Sequence, residues 1–151
     1  MKVYDIFTNG VSLSPENDAV IHNQRCINYR DLWTECEKMI RFLKSLELQK
    51  GSRIALLYEN SIEYVIQFFA IFGAGYIAVP LDTSLKPENL NFIINDAAAR
   101  VLLVHARYAK LLDRIIDRQS HVQLIVLNKK IDRPLPDIDP VSYTHLRAHE
   151  T

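Results

Sequence analysis

The chain is poor in cysteine, the residue of disulfide and thiolate-metal chemistry. It has two cysteines, Cys26 and Cys36. At that spacing they form neither a disulfide framework nor a zinc-ligand pattern. The expectation is a pair of reduced thiols in a cytosolic core. Charge of either sign is not in excess, with 18 Lys and Arg against 18 Asp and Glu. A balanced chain has no electrostatic footprint for nucleic acid or for an anionic membrane surface. Glycine is scarce, at four residues, and no Gly-x-x-x-x-Gly-Lys-Ser/Thr phosphate loop occurs. No apolar run follows Met1-Lys2-Val3-Tyr4-Asp5, so no secretory signal is read there. The expected compartment is the cytoplasm.

One long apolar stretch is present. Tyr64–Leu81 carries Gln67 as its only strongly polar side chain. That approaches the length of a membrane span. Glu63, Gly73, Gly75 and Pro80 interrupt it, whereas a lipid-facing segment needs unbroken backbone hydrogen bonding. No membrane span is expected. The stretch reads instead as the end of a strand–helix–strand unit, Gly51–Asp82. Arg53–Tyr58 is a short apolar strand. Asn60 is the expected helix cap, with Glu63 completing a capping box. The helix runs to about Phe72, Gly73 and Gly75 stop it, and Tyr76–Leu81 is the second strand. Such a unit joins two parallel strands by a crossover.

The remaining elements flank this unit. Val3–Leu13 is an uneven apolar helix. Ala19–Ile21 and Arg25–Tyr29 form a hairpin around His22-Asn23-Gln24, and His22 at the turn is read as solvated. Asn28 caps a long helix whose stripe is Leu32, Cys36, Met39, Ile40, Leu43 and Leu46. Trp33 falls beside the stripe, at a half-buried edge. Pro87 opens a helix with Leu90, Ile93, Ile94 and Ala97 inward. Arg100–His105 is a strand, Tyr108–Arg118 a helix and Val122–Leu127 a strand. His105 ends its strand at the edge where α/β folds place ligands, but no partner is visible in the sequence. Alternating helices and strands predict an α/β fold: a mainly parallel, doubly wound sheet with helices on both faces, plus a short N-terminal β-hairpin. Residues 1–128 form this part, residues 129–140 a linker rich in Pro and Asp, and residues 141–151 a tail.

Residue chemistry names no active site. Gly73-Ala74-Gly75-Tyr76-Ile77-Ala78 fits the dinucleotide fingerprint in letters only, because it closes a helix where the fingerprint must open one. No nucleophile–base set or carboxylate pair follows from spacing. In the tail, His145 and His149 stand four apart beside Glu150, but two ligands are too few for a metal site. The tail Val141–Thr151 resembles translated adaptor sequence found on unrelated reads, and is set aside as a non-native scar.

Six short motifs carry a resemblance. Ile27-Asn28-Tyr29-Arg30-Asp31-Leu32 resembles the Leu-Thr-Tyr-x-Glu-Leu opening of the adenylate-forming superfamily. Gly51-Ser52-Arg53-Ile54-Ala55-Leu56 is similar to its Gly-Asp-Arg-Val-Ala-Leu, and Asn60-Ser61-Ile62-Glu63-Tyr64 to its Asn-Ser-x-Glu-Tyr/Phe. Phe72–Asp82 resembles its Leu-Lys-Ala-Gly-x-x-x-Val-Pro-Leu/Ile-Asp, with Gly73 where lysine is usual. Pro87-Glu88-Asn89-Leu90 and Ala99–Val104 follow its next helix and strand. The match covers residues 3–127. It implies an incomplete N-terminal subdomain of the adenylate-forming fold. It also implies, for the intact enzyme, activation of a carboxylic acid with ATP and Mg, then transfer to the thiol of coenzyme A or a carrier protein. The family's phosphate loop, threonine–glutamate pair, ribose-binding aspartate and C-terminal lysine have no counterpart here. The resemblance therefore assigns no catalytic, cofactor-binding or metal residue. It implies no cofactor bound by this chain alone, and it makes the remainder of the same polypeptide its partner. The alternative is a non-catalytic α/β binding or interaction module. A Rossmann-type nucleotide binder is a third reading, and the misplaced glycines count against it.

Overall fold

Asn28 sits where a strand becomes a helix, and its short polar side chain makes the change possible. Its Oδ1 accepts the backbone N–H of Asp31 at 2.8 Å, satisfying a donor that the first helical turn leaves orphaned. In the computed structural model the described residues are 1–138 and 141–146. They divide into two units. The first comprises Met1–Lys50 and Asn60–Tyr76; the second comprises Gly51–Glu59 and, among the described residues, 77–138 and 141–146.

In the first unit α1 (Val3–Leu13) leads into the hairpin of β1 (Asp18–His22) and β2 (Arg25–Asn28), then α2 (Tyr29–Ser45) and α3 (Ile62–Gly73). The stripe read on α2 is the buried one, with Leu32, Cys36, Met39, Ile40 and Leu43 inward. Phe7, Leu32 and Cys36 form one core cluster of this unit, with Tyr4, Val20, Val65 and Phe69 packed on it. The rings of Phe7 and Phe69 lie 5.2 Å apart. Tyr4 donates its hydroxyl to Glu37 Oε1 at 2.8 Å, tying α1 to α2. Trp33 is 39 % exposed, as the edge position implies.

The second unit holds a five-stranded parallel sheet in the order β4-β3-β5-β6-β7. The strands are β3 (Arg53–Leu57), β4 (Ile77–Pro80), β5 (Val101–Val104), β6 (Leu124–Leu127) and β7 (Ser142–His145). Ile54 stands opposite Ala78 on one side and Val101 on the other. All of Ile54–Leu57 and Val101–Val104 is buried, so these strands are shielded from water on both faces. α4 (Pro87–Asp96), a 3₁₀ turn (Ala106–Leu111) and α5 (Leu112–Ile115) complete the unit. Leu90 and Ile94 of α4, with Leu112 and Ile115 of α5, join Ala55, Leu57, Leu102, Val104, Ile125 and Leu127 in one core. No helix among the described residues is long and apolar enough to cross a membrane.

Four local differences from the sequence reading have physical causes. α3 is capped by Ser61, whose side chain accepts the Tyr64 N–H at 3.1 Å; Asn60 lies one residue outside. Gly73 does not stop that helix but ends it in helical conformation. A Cβ there would lie 2.5 Å from Ile40 Cδ1, so its role is close approach. Gly75, at φ +86°, makes the left-handed step. The helix expected over Tyr108–Arg118 is instead a 3₁₀ turn and one α turn, because Ile116 is already extended at φ −116°, ψ 129°. The fourth difference is β7, which lies in the stretch read as a tail. It pairs with β6 through main-chain bonds, Ser142 N–H to Gln123 O at 2.9 Å and Leu146 N–H to Leu127 O at 2.8 Å. In the connection before it, Ile131, Leu135 and Ile138 pack on the core.

The cap assignment separates two neighbouring substitutions. Ser61→Ala should cost about 1 kcal/mol, the usual value of an N-cap side chain. Asn60→Ala should stay within about 0.5 kcal/mol. Urea unfolding midpoints measure both, and equal losses would contradict the Ser61 cap.

Candidate functional site at the carboxyl edge of the sheet

A doubly wound parallel sheet leaves a crevice at the carboxyl ends of the strands where its winding reverses. Here β4 lies on one side of β3 and every later strand on the other, so the reversal falls between β3 and β5. The segments leaving those two strands meet at that point. His105 donates its backbone N–H to Leu57 O at 3.0 Å. The Tyr58 ring, 3 % exposed, stands edge-on to the His105 imidazole at 5.6 Å. The same imidazole meets the Tyr108 ring edge-on at 6.5 Å.

Glu59 is the hinge of this cluster. Its Oε1 accepts the Tyr108 hydroxyl at 2.9 Å, and its Oε2 pairs with Arg107 Nη1 at 2.7 Å. The Arg107 guanidinium lies 5.8 Å from the centre of the Tyr108 ring. Both charged side chains are more than half exposed, at 56 % and 55 %, so the pair is worth at most about 1 kcal/mol. Burial holds the Tyr108 phenol above its ordinary value, the Thr83 bond opposes that, and Glu59 adds to it. His105 Nδ1 accepts the Arg107 N–H at 3.1 Å. That bond requires an unprotonated Nδ1, which places the ring proton on Nε2. From β6, Asn128 Oδ1 accepts the Ala106 N–H at 2.7 Å. After β4, Asp82 Oδ1 accepts both the hydroxyl and the backbone N–H of Ser84, which hold its carboxyl below the usual range. The edge thus neutralises itself: carboxylate, guanidinium and phenol satisfy one another.

The other residues weighed from sequence are scattered. His22 stands opposite Arg25 in the hairpin, half-buried. Cys36 is in the core, its thiol 3.7 Å from Ile66 O. Burial first, then Glu37 and Glu35, push that thiol up to about 12. Cys26 is exposed on β2, which corrects its expected place in a core: the hairpin has one buried face and Cys26 is on the other. His145 is exposed on β7, and His149 and Glu150 lie outside the described residues. Among the described residues no group of three or more His, Cys, Asp or Glu could hold a metal ion. Glu59, Arg107 and Tyr108 were not singled out from sequence. Their one signal is position, directly after the apolar runs that become β3 and β5.

Comparison with known proteins gives one answer. The model of the AMP-binding enzyme family matches residues 7–145. A linear gramicidin synthase chain from Brevibacillus parabrevis is 30 % identical over 121 residues, covering 78 % of this chain and 2 % of that protein. A long-chain-fatty-acid–CoA ligase of Escherichia coli is 26 % identical over 130 residues, covering 85 % of this chain and 23 % of that one. The crystal structure of the anthranilate CoA ligase AuaEII, in complex with anthranoyl-AMP, superposes with a TM-score of 0.78 at 30 % identity. It covers 84 % of this chain and 25 % of the other. The chain thus spans about a quarter or less of the length of these relatives.

Two measurements test the electrostatics described. Glu59→Gln should bring the Tyr108 phenol down toward the ordinary 10, because the Glu59 bond and charge both raise it. Ring-proton shifts of Tyr108 through alkaline pH read this, and an upward or absent shift would contradict the bond. Separately, Cys26 should react with a thiol reagent at about pH 8 in the native chain. Cys36 should react only after denaturation, and Cys26→Ser should remove the native reaction.

Proposed function

The chain belongs to the AMP-binding enzyme family, and on that premise we propose that it is the N-terminal portion of an AMP-forming acid–thiol ligase. The intact enzyme joins a carboxylic acid to AMP by cleaving ATP, releasing pyrophosphate. It then passes the acyl group to a thiol, coenzyme A being our choice of acceptor. The observation that carries this reading is the order of six motifs over residues 3–127, together with relatives named as fatty-acid and anthranilate CoA ligases. With relatives named as linear gramicidin and surfactin synthase subunits, we keep a carrier-protein thiol as the competing acceptor. A cytoplasmic enzyme follows from this chemistry, since ATP and coenzyme A are drawn from that pool.

ATP and Mg are the groups the family reaction calls for, and the side chains here do not suit the triphosphate. Phosphates seek backbone donors and the positive end of a helix dipole. At the carboxyl edge that position in α4 carries Glu88, held by Arg114 at 3.0 Å. The crevice between β3 and β5 carries Glu59, already paired. In each place a carboxylate already holds the guanidinium, Arg114 or Arg107, for which a triphosphate would have to compete. No step of the reaction is therefore routed through residues of this chain. We assign the phosphate loop and the catalytic lysine to polypeptide that follows residue 128 in the intact enzyme. On this reading the chain is scaffold and is inactive alone. Val141–Thr151 is then foreign sequence, and its Ser142–His145 segment is seated beside β6 by main-chain bonds that any extended segment can supply.

Two experiments decide this. The 151-residue chain should show no carboxylate-dependent exchange of pyrophosphate into ATP, and exchange would overturn the scaffold reading. Genomic sequence beyond the codon for Pro140 should continue into a Ser/Thr/Gly-rich loop ending in lysine. The product of that longer frame should form acyl-adenylate, then thioester when coenzyme A is supplied. A native stop codon directly after Thr151 would sink the proposal.

A further inference from the structure

We propose that His105 is a pH-sensitive latch on the turn that carries Arg107 and Tyr108 to Glu59. The proposal stands apart from the ligase reading and rests on the geometry of the carboxyl edge. Three backbone donors open the Ala106–Leu111 turn, and each has one acceptor. Ala106 N–H goes to Asn128 Oδ1 at 2.7 Å, Arg107 N–H to His105 Nδ1 at 3.1 Å, and Tyr108 N–H to His105 O at 2.9 Å. The first and third acceptors do not titrate. The second does, because an imidazole nitrogen accepts a hydrogen bond only while it lacks a proton. Protonation sets an Nδ1–H against the Arg107 N–H, donor facing donor. The ring must then swing away from the turn, and the turn loses its cap.

Among the described residues, the titratable and charged neighbours of the imidazole include Tyr58 and Glu59 at the end of β3, and Arg107 and Tyr108 on the turn itself. Thr83 after β4 and Asn128 after β6 are neutral. Arginine stays charged throughout, and Tyr108 is held above the ordinary tyrosine value. Of these side chains, imidazole is the one that serves as a switch near neutral pH. The sign follows from the bond. The latch is engaged while the imidazole is neutral, and it is lost as pH falls through the imidazole titration. Release takes Arg107 and Tyr108 off Glu59 and opens the crevice between the ends of β3 and β5, leaving a carboxylate exposed at its lip.

The experiment is amide hydrogen exchange on the full ¹⁵N-labelled chain at about pH 8 and 5.5, corrected for intrinsic rates. Protection of the Arg107 amide should fall about tenfold at the lower pH, the size of a lost cap. The Leu103 amide in β5 should keep its protection. His105→Asn caps without titrating, so Arg107 should be equally protected at both pH values. His105→Ala should be weakly protected at both. The latch is overturned by any of three results: equal protection of Arg107 at both pH values in the unaltered chain, the same pH dependence in His105→Asn, or a parallel loss at Leu103 that marks global unfolding.

Discussion

The parallel ladder of β3, β5 and β6 is the constraint on which the second unit depends. Parallel strands cannot be joined by a tight turn, so each must be followed by a crossover that returns the chain to the same end of the sheet. That requirement spaces the apolar runs Ile54–Leu57, Val101–Val104 and Leu124–Leu127 along the chain. It also explains their composition. A strand shielded on both faces has no polar alternation to spare, and all four residues of Ile54–Leu57 are fully buried. Each such leucine or isoleucine contributes about 1.5–3 kcal/mol by leaving water, and a polar substitution there would strand an unpaired group.

The candidate site is a consequence of that ladder. Crossovers begin at the carboxyl ends of strands, so the residues just past β3, β4, β5 and β6 converge on one edge whatever their identity. What this sequence places there decides what the edge does. Glu59 binds both Arg107 and Tyr108, and His105 holds the turn that presents the two of them. Such a set braces two segments against each other. A phosphate site would instead leave backbone N–H groups and cations unmatched, facing the crevice. The distinction between scaffold and catalytic segment is thus written in hydrogen-bond saturation more than in residue type.

Much of this is legible in the sequence because the governing signals are local. The stripe on α2, the strands at Arg53 and Val101 and the Asn28 cap each rest on residues within one or two turns of each other. The Ser61 cap is misread by one residue, since Asn60 and Ser61 are both good caps and only backbone geometry chooses between them. The Tyr108–Arg118 helix is over-read because Ile115 and Ile116 continue an apolar face that the backbone abandons at Ile116. β7 cannot be read at all: Ser142-Tyr143-Thr144-His145 has no core pattern, and its place comes from the open edge of β6. The clustering of Glu59 with Arg107 and Tyr108 joins residues about fifty positions apart, where no local pattern reaches.

Gly73 shows how a departure from a family pattern can be structural. The resemblance puts lysine at this position, and a long cation there would be an obvious candidate for phosphate work. In this chain the space is taken. A Cβ on Gly73 would approach Ile40 Cδ1 to 2.5 Å and Tyr4 Cε2 to 3.1 Å. The first of these is closer than carbon atoms tolerate, so any side chain there would have to turn the end of the Ile40 side chain aside and press on the Tyr4 ring. Tyr4 is itself fixed by its bond to Glu37 and its edge contact with Phe7. Glycine at 73 and the docking of α1 are therefore one arrangement. Restoring lysine without loosening Tyr4 and Ile40 would overpack the first unit, at a cost of about 1–3 kcal/mol for inserted volume of this kind.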